Sequence, residues 1–253
     1  MTTLRVPARF RGPASSGNGG WTAGALAGLV SGTGEYGAAL ADAAPVEVTL
    51  RRPPPLDPDL EILARDGTLV AGDDQGPVAE ARAVDRSLLA VAPVPAHEAA
   101  AAEASYAGLR GHPFPTCFAC GTGRDPGDGL RVFPGPVGPG RVAATWTPDG
   151  SVAGAEAGLA DLAVTWAALD CTGGWSSDLE ERPMVLGRMT ARVDRLPAVG
   201  DLHVVVGEAL GTDGRKTFTA STLYDAAGDP LARAEHVWIA VDPRTFGRPG
   251  PSA

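Results

Sequence analysis

Residues 191–241 read ARVDRLPAVGDLHVVVGEALGTDGRKTFTASTLYDAAGDPLARAEHVWIAV, and their turn pattern determines the predicted topology. Residues 48–84, VTLRRPPPLDPDLEILARDGTLVAGDDQGPVAEARAV, repeat its pattern in diverged form. In each copy, Asp-Leu begins a strand-like run, an Asp-Gly pair marks a turn (Asp66-Gly67 and Asp213-Gly214), and Ala-x-Ala ends the segment. Turn dipeptides flanked by alternating apolar residues are typical of β-hairpins. The sequence therefore predicts the same antiparallel meander twice.

A short apolar segment of helical length precedes each meander. The first is GGWTAGALAGLVSG, Gly19 to Gly32, and the second is AGLADLAVTWAALDCTGG, Ala157 to Gly174. The second has few polar residues on any face, which indicates a buried helix. In the first, Gly24 and Gly28 lower the helix propensity, so we expect another element to pack closely against it. The predicted class is α+β, a tandem of two antiparallel sheets, each wrapped on a central helix.

The repeat sets the expected domain boundaries. The N-terminal half covers residues 1–95 and the C-terminal half covers residues 117–245. Residues 96–116 join them as a Pro-rich linker, whose Ala/Glu centre favours a helix. Residues 246–253, at the C-terminus, are expected to form a disordered tail.

Composition excludes several classes of function. The 253 residues carry 21 Lys and Arg against 30 Asp and Glu, a net charge of −9, and Lys216 is the single lysine. Nucleic-acid binding depends on dense basic patches, so we expect no nucleic-acid partner. No apolar run is long enough for a membrane span, and the N-terminus lacks the apolar core of a signal peptide. Three cysteines, an odd number, favour a reducing compartment, and we expect a cytoplasmic protein.

Three segments carry a resemblance to a known family. CFACGTGRDPGDGLRVF, Cys117 to Phe133, is similar to a Cys-x-x-Cys-Gly … Gly-Leu opening. GNGGWTAGALA, Gly17 to Ala27, resembles the Gly-Gly start of a central helix, and WAALDC, Trp166 to Cys171, resembles an apolar helix that ends in a catalytic acid. Together they resemble the acyl-CoA thioesterase-like double hotdog proteins. The resemblance implies hydrolysis of an acyl thioester of coenzyme A or acyl-carrier protein without a cofactor. Whether two double hotdogs pair as a homodimer is left open.

Asp170 is the candidate catalytic acid. It lies in an apolar segment near the predicted helix end, where burial and the helix dipole both disfavour a carboxylate. A carboxylate placed against these forces is a candidate functional group. The resemblance implies that it acts as a nucleophile or as a general base for water. The alternative is that the helix frays there and Asp170 meets water or caps the next turn.

Thioester hydrolysis also needs hydrogen-bond donors for the oxyanion, which amides at a helix N-terminus supply. The resemblance places the donor eight residues before the acid, at Leu162. Eight residues of helix span about 12 Å, too far for one carbonyl to contact both ends. We therefore expect a composite site in which Asn18, Gly19 and Gly20 face Asp170 across the two halves. The alternative for the two glycines is an ordinary turn into a helix.

The two halves also differ at these positions. Ala27 stands where the second helix has Asp170, and Asp161-Leu162 replaces the Gly-Gly pair. The sequence therefore predicts one complete site and one incomplete site in each chain.

Other residues are candidates for binding the substrate. Arg215 and Lys216, on a predicted hairpin tip, suit the phosphates of coenzyme A, although a solvated turn is the default explanation for them. Arg188 and Arg192 are further candidates. We expect Trp166, on the helix of Asp170, to contact the substrate. The remaining tryptophans considered belong either to the core or to the wall of an acyl pocket: Trp146, Trp175 and Trp238.

Cys117 and Cys120 have the spacing of half a zinc site. Structural zinc usually takes four ligands from two paired clusters, and the sequence has no second Cys pair. His112 is near, but Cys171 is distant in sequence. We therefore expect no metal, a buried thiol pair at Cys117 and Cys120, and a core position for Cys171.

Two other functions remain open. A degenerate double hotdog could bind acyl chains or serve as a scaffold without catalysis. A hydratase or dehydratase on the same fold would need a paired acid and histidine, and neither predicted central helix contains a histidine.

Overall fold

The computed structural model describes residues 2–30 and 43–242. Within them, eleven antiparallel strands form one sheet in the order β1-β3-β4-β5-β2-β8-β11-β10-β9-β7-β6. The strands are β1 (Thr3–Arg5), β2 (Val46–Leu50), β3 (Asp59–Arg65), β4 (Thr68–Asp73), β5 (Gly76–Ala83), β6 (Gly135–Gly138), β7 (Arg141–Trp146), β8 (Met184–Val193), β9 (His203–Asp213), β10 (Lys216–Asp225) and β11 (Pro230–Ala240). The α-helices are α1 (Gly19–Val30), α2 (Ala96–Ala102) and α3 (Leu162–Trp175).

The repeat appears as two equivalent halves of this sheet. The predicted meanders are β3-β4-β5 and β9-β10-β11, and the preceding strands β2 and β8 pair with β5 and β11. The halves join where β2 pairs with β8, from Val46 opposite Ala191 to Thr49 opposite Arg188. The predicted tandem arrangement of two helix-wrapped antiparallel sheets is confirmed.

The two central helices α1 and α3 pack against each other over the sheet. They approach most closely through glycines of α1: a Cβ on Gly24 would lie 2.7 Å from the Ala163 Cα. This contact explains why α1 contains glycines that lower its helix propensity. None of the helices in the described residues is both long and apolar enough to span a membrane.

The second helix differs from its predicted bounds at both ends. It begins at Leu162, because the Asp161 carboxylate caps it by accepting the Ala163 N–H at 2.8 Å. It continues through Trp175, so Asp170 lies more than a turn before its end. The expectation that Asp170 sits against the C-terminal dipole is therefore wrong, and burial is what disfavours its charge.

The glycines predicted to end this helix lie inside it because the sheet approaches them closely. A Cβ on Gly173 would lie 2.6 Å from His236 Nδ1, and one on Gly174 would lie 2.8 Å from Trp238 Cζ2. Residues larger than glycine would push α3 away from β11.

Residues 91–99, which run from the end of the predicted N-terminal half into the predicted linker, cover the outer face of the C-terminal sheet. Val91, Val94 and Ala99 form a second apolar cluster with sheet residues. Those sheet residues are Ala143, Val204, Val206, Ala220 and Tyr224. The Tyr224 hydroxyl donates a hydrogen bond to the Val91 carbonyl, and the Val91 N–H donates to Thr222 Oγ1 at 3.0 Å. The predicted tail at residues 246–253, and residues 31–32 of the first predicted helix, lie outside the described residues.

His236 makes the stability of the chain depend on pH. Burial lowers its pKa to about 3, and its nearest polar neighbour is Thr219 Oγ1, 3.1 Å from Nδ1. Below pH about 6.5 the unfolded chain takes up a proton on this residue and the folded chain does not. The free energy of unfolding should therefore fall as the pH is lowered, with a slope that approaches about 1.4 kcal/mol per pH unit below pH about 5.5 from this group alone.

Urea unfolding between pH 7.5 and 4.5 measures this effect. We expect His236→Gln to have a shallower pH dependence than the wild type, whatever its absolute stability. His97→Gln, at an exposed histidine, is the matched control and should keep the wild-type slope. Equal slopes for the wild type and His236→Gln would contradict the assignment.

Candidate active site

Asp170 of α3 and Gly20 of α1 are in direct contact across the two halves. The Gly20 N–H donates a hydrogen bond to Asp170 Oδ2 at 2.8 Å. A Cβ on Gly20 would lie 2.3 Å from the Asp170 Cβ, so glycine is what lets the carboxylate reach the α1 backbone. The predicted acid and the predicted helix N-terminus therefore lie together, although 150 residues separate them in sequence.

The Asp170 carboxylate is buried, with 2% of the residue exposed. Its Oδ1 has no hydrogen-bond partner among the described residues. Burial raises the pKa of Asp170 to about 8, and the hydrogen bond from Gly20 acts in the opposite direction. A carboxyl group of this kind has the proton affinity that general acid–base chemistry requires near neutral pH.

Asn18 caps the start of α1. Its Oδ1 accepts the Trp21 N–H at 2.8 Å, and its backbone carbonyl accepts the Thr22 N–H at 3.0 Å. The Nδ2 group points to two thiols, 3.6 Å from Cys117 Sγ and 3.7 Å from Cys171 Sγ. Asn18 therefore fixes the helix N-terminus and holds the sulfur atoms beside it.

Gly19 is the first residue of α1, where the helix leaves its backbone amides without intrahelical acceptors. Its N–H has no acceptor among the described residues. Asn18, Gly19 and Asp170 all line one cavity. The amide of Gly19 is thus the donor at this helix terminus that remains available to a ligand, since Gly20 already binds Asp170.

The cavity has a volume of about 240 Å³ and lies between the two halves. Most of its wall is apolar, with one polar side formed by the residues around Asp170. The apolar part comprises Leu50, Pro53, Pro54, Phe114, Trp175, Leu179, Met184, Val185, Leu186, Trp238 and Ile239. A cavity of this kind suits an apolar group attached to a polar reacting centre.

The predicted substrate contacts fall outside this wall. Trp166 is buried between the helices, where its Cβ approaches Gly24, while Trp175 and Trp238 line the cavity. Arg215, on the hairpin tip, donates to the Ala240 carbonyl at 3.2 Å. Lys216 is the cross-strand partner of the cavity residue Ile239, so it lies beside the cavity without lining it.

The further candidates Arg188 and Arg192 pair instead with carboxylates on β2 and in the loop between β8 and β9, respectively. Arg188 lies 3.6 Å from Glu47, and Arg192 Nε lies 2.6 Å from Asp194. Neither lines the cavity.

Two arginines in the cavity wall were missed in the sequence analysis. Arg51 and Arg52 follow β2, and the Arg51 side chain is half exposed while paired with Glu80. Arg52 forms an ion pair with Asp73 and donates to the Gly76 carbonyl at 3.1 Å. The sequence shows the Arg-Arg-Pro-Pro-Pro run after a predicted strand, but nothing in it places these arginines at the cavity.

The three cysteines meet in one buried cluster beside Asp170. The Sγ atoms of Cys117, Cys120 and Cys171 all lie within 4.8 Å of one another, and Cys117 Sγ lies 3.6 Å from Cys171 Sγ. Hydrogen bonds from its neighbours hold the pKa of Cys117 well below its usual value, whereas burial raises that of Cys120. The expectation of no metal rested on the lack of a second Cys pair and on the position of Cys171 far along the chain; the fold brings Cys171 to the other two thiols, although it does not supply a second pair.

The equivalent positions at the other end of the helix crossing lack both the carboxylate and the amide that binds it. Asp161 caps α3 as Asn18 caps α1, so Ala163 corresponds to Gly20 and Ala27 to Asp170. The residues of α3 that correspond to Gly19-Gly20 are therefore Leu162-Ala163, one residue later than the Asp161-Leu162 pair expected from the sequence. The Ala163 N–H is already bound by Asp161 Oδ1 at 2.8 Å, and no carboxylate stands at Ala27.

Comparison with known proteins shows the class of fold. No protein-family model and no curated protein matches the chain. Among solved structures, the chain is similar to the tesB protein of Mycobacterium avium subsp. paratuberculosis, with 16% identity and a TM-score of 0.57 over 94% of this chain and 91% of that one. The chain has the double hotdog fold, as the sequence resemblance predicted.

Two further structures are similar to the chain. A conserved protein of unknown function with a hot dog fold from Alicyclobacillus acidocaldarius has 14% identity and a TM-score of 0.55, and the match covers 95% of this chain and 92% of that one. A Streptococcus mutans protein, smu.793, bound to acetyl CoA in its structure, has 14% identity and a TM-score of 0.39, covering 43% of this chain and 86% of that one.

Proposed function

We propose that the chain hydrolyses an acyl thioester, carried by coenzyme A or by acyl-carrier protein, at one composite site between its halves. The observation that carries this proposal is the 2.8 Å hydrogen bond between the Gly20 N–H and Asp170 Oδ2. It joins a buried carboxyl group to a helix N-terminus at the wall of a mostly apolar cavity. An acid, amide donors and an apolar pocket are what acyl transfer to water requires.

In the proposed reaction, Asp170 accepts a proton from a water molecule as the water oxygen attacks the thioester carbonyl carbon. The tetrahedral intermediate then collapses, the C–S bond breaks, and the sulfur leaves with the proton returned by Asp170. The products are a carboxylic acid and a thiol. Asp170 Oδ1, which has no hydrogen-bond partner among the described residues, would be the oxygen that accepts the proton, because Oδ2 is bound by Gly20.

The oxyanion of the intermediate would accept the Gly19 N–H at the start of α1. This amide lies at the positive end of the helix dipole, where a developing negative charge is stabilised. Asn18 contributes by fixing the α1 terminus through its bond to the Trp21 N–H. Gly20 keeps Asp170 in place rather than binding the substrate.

The acyl group would lie against the apolar wall around Trp175 and Trp238. The coenzyme A or carrier-protein part of the substrate would extend out of the cavity past Arg51. Arg51, whose side chain is 51% exposed at the cavity wall, is the residue best placed for a carrier phosphate. Lys216 and Arg215 lie farther along the same side, next to the cavity residue Ile239. They remain candidates for more distant phosphates.

The hydratase alternative gains one residue from the fold but not its chemistry. His112 lines the cavity with Asp170. However, its Nδ1 accepts the Phe114 N–H at 2.9 Å, and its Nε2 lies 3.1 Å from the Cys120 carbonyl oxygen. Both ring nitrogens are therefore engaged, and His112 has no free position for proton transfer to a substrate.

An assay of the purified full chain against a panel of acyl-CoAs of different chain length tests the proposal. We expect release of free thiol, which a thiol reagent measures. A non-hydrolysable thioether analogue of the substrate should release none. Binding of acyl-CoA without thiol release would favour the non-catalytic binder. Hydration of a 2-enoyl-CoA without thiol release would favour the hydratase.

A further inference from the structure

The three cysteines of the chain converge from two separate parts of the fold. Cys117 and Cys120 belong to the loop that opens the C-terminal half, and Cys171 lies on α3 next to Asp170. All three are buried, with 3%, 3% and 7% of each residue exposed. Zinc–sulfur bonds of about 2.3 Å at tetrahedral angles place sulfur atoms about 3.8 Å apart. The Cys117–Cys171 separation of 3.6 Å and the 4.8 Å limit on the cluster fit this arrangement after small side-chain rotations.

The backbone of the Cys-x-x-Cys loop forms a tight turn that directs both thiols to the same side. The Gly121 N–H donates to the Cys117 carbonyl at 2.9 Å. A Cβ on Gly121 would lie 2.5 Å from that carbonyl oxygen, so the turn requires glycine directly after the second cysteine. The two sulfur atoms are therefore presented as a preformed pair.

Each sulfur atom also has an N–H group beside it. Asn18 Nδ2 lies 3.6 Å from Cys117 Sγ and 3.7 Å from Cys171 Sγ. His112 Nε2 lies 3.3 Å from Cys120 Sγ. Because the Phe114 N–H donates to His112 Nδ1, the neutral ring carries its proton on Nε2, and this N–H lies between the Cys120 carbonyl oxygen at 3.1 Å and the Cys120 Sγ at 3.3 Å. Donors aimed at sulfur stabilise thiolates, and groups in this outer shell are typical of metal sites.

We propose that Cys117, Cys120 and Cys171 bind one thiophilic divalent cation of the zinc class as three thiolates. Binding breaks three S–H bonds, forms three metal–sulfur bonds and releases three protons to solvent. The resulting centre carries a net charge of −1, which the N–H groups of Asn18 and His112 stabilise. His112 is a positioning residue in this site and not a ligand, because its Nε2 is protonated.

The fourth coordination position faces the cavity, since all three cysteines line it together with Asp170. Water or a small ligand from the cavity would complete a tetrahedral geometry there. The metal would also tie the 117–120 loop to α3 at the residue next to Asp170, and thus fix one wall of the cavity. The metal takes no part in the proposed hydrolysis steps, so either proposal can fail alone.

Metal analysis of the wild-type chain is the first test. We expect one zinc per chain after purification under reducing conditions without chelator, and saturation of the metal-free chain by one equivalent of Co²⁺. The Co²⁺ complex should show sulfur-to-metal charge transfer and the intense visible bands of tetrahedral coordination. Zinc should protect the three thiols from a thiol reagent in the folded chain, and a chelator should expose them. These readouts require no variant and no enzymatic activity.

Variants then identify the ligands. Cys117→Ser, Cys120→Ser and Cys171→Ser should each weaken zinc binding at least about 100-fold, and His112→Gln should weaken it about 10- to 100-fold while keeping the three-sulfur Co²⁺ spectrum. His97→Gln, at an exposed histidine, is the matched control and should bind zinc as the wild type does. Absence of stoichiometric zinc in the wild type, with three thiols equally reactive with and without the metal, would overturn the proposal. Unchanged zinc affinity in Cys171→Ser would overturn the three-thiolate site.

Discussion

Asp170→Asn is expected to lower kcat for thioester hydrolysis about 100- to 10,000-fold without unfolding the chain. Asparagine has the same shape, and its Oδ1 can still accept the Gly20 N–H, but it cannot take a proton from water. Because the carboxyl group is buried at a cost, its replacement by a neutral amide should leave the free energy of unfolding within about 1 kcal/mol of the wild-type value. Steady-state thiol release and urea unfolding at one pH measure the two quantities.

Asp161→Asn is the matched control for this change. Asp161 occupies the start of α3, and asparagine caps a helix as well as aspartate does. We expect no change in kcat and little change in stability. If Asp170→Asn retains wild-type kcat while Asp161→Asn behaves as expected, Asp170 is not the general base and the proposed mechanism is wrong.

Gly20→Ala is expected to have the second largest effect, on both activity and stability. The added methyl carbon would lie 2.3 Å from the Asp170 Cβ and 2.8 Å from the Trp166 carbonyl oxygen, so α1 and α3 must separate. Overpacking of this kind costs about 1–3 kcal/mol, of which helix propensity returns at most about 1 kcal/mol. A displacement of Asp170 by about 1 Å should lower kcat/KM about 100-fold.

Gly138→Ala separates this contact from a general effect of losing glycine. Gly138 lies on β6 with an ordinary φ, and no atom of the described residues lies within 4 Å of an added Cβ. We expect wild-type activity and stability for that variant. Equal behaviour of Gly20→Ala and Gly138→Ala would show that the helix crossing tolerates a methyl group, and the described contact between Gly20 and Asp170 would then not govern the site.

The parts of the fold that follow local rules could be predicted from the sequence. The Asp66-Gly67 pair forms a two-residue turn with φ of 48° and 74°, because both positions need the left-handed conformation that Asp and Gly tolerate. The tandem meanders and two buried helices follow from such turns and from apolar patterning. The end of α3 could not be read in the same way. Gly173 and Gly174 resemble a helix stop. Glycine is needed there instead because His236 and Trp238 approach closely from a strand about 60 residues later.

The candidate site was predictable where it depends on the family resemblance and on helix geometry, and not where it depends on contacts between distant segments. The resemblance implied an amide donor at a helix N-terminus, and the length of eight helical residues placed that donor on the other helix, so Asp170 was expected to face Gly20. The third thiol was missed because 51 residues separate Cys120 from Cys171 in sequence, and only the packing of the 117–120 loop on α3 joins them. Arg51 was missed for the same reason, since its place at the cavity depends on how β2 meets β8.

The antiparallel crossing of α1 and α3 within a single polypeptide has a consequence for how the molecule can vary. In a dimer of identical hotdogs, one amino-acid substitution alters both ends of the helix crossing. Here a change at Gly20 or Asp170 leaves Ala163 and Ala27 untouched, so one end can retain a tightly constrained pair of residues while the other varies under packing constraints alone. The helix termini are unequal because the Gly20 amide of α1 binds the carboxylate of the opposite helix, whereas the corresponding Ala163 amide of α3 binds its own Asp161, and relaxed symmetry permits such a difference.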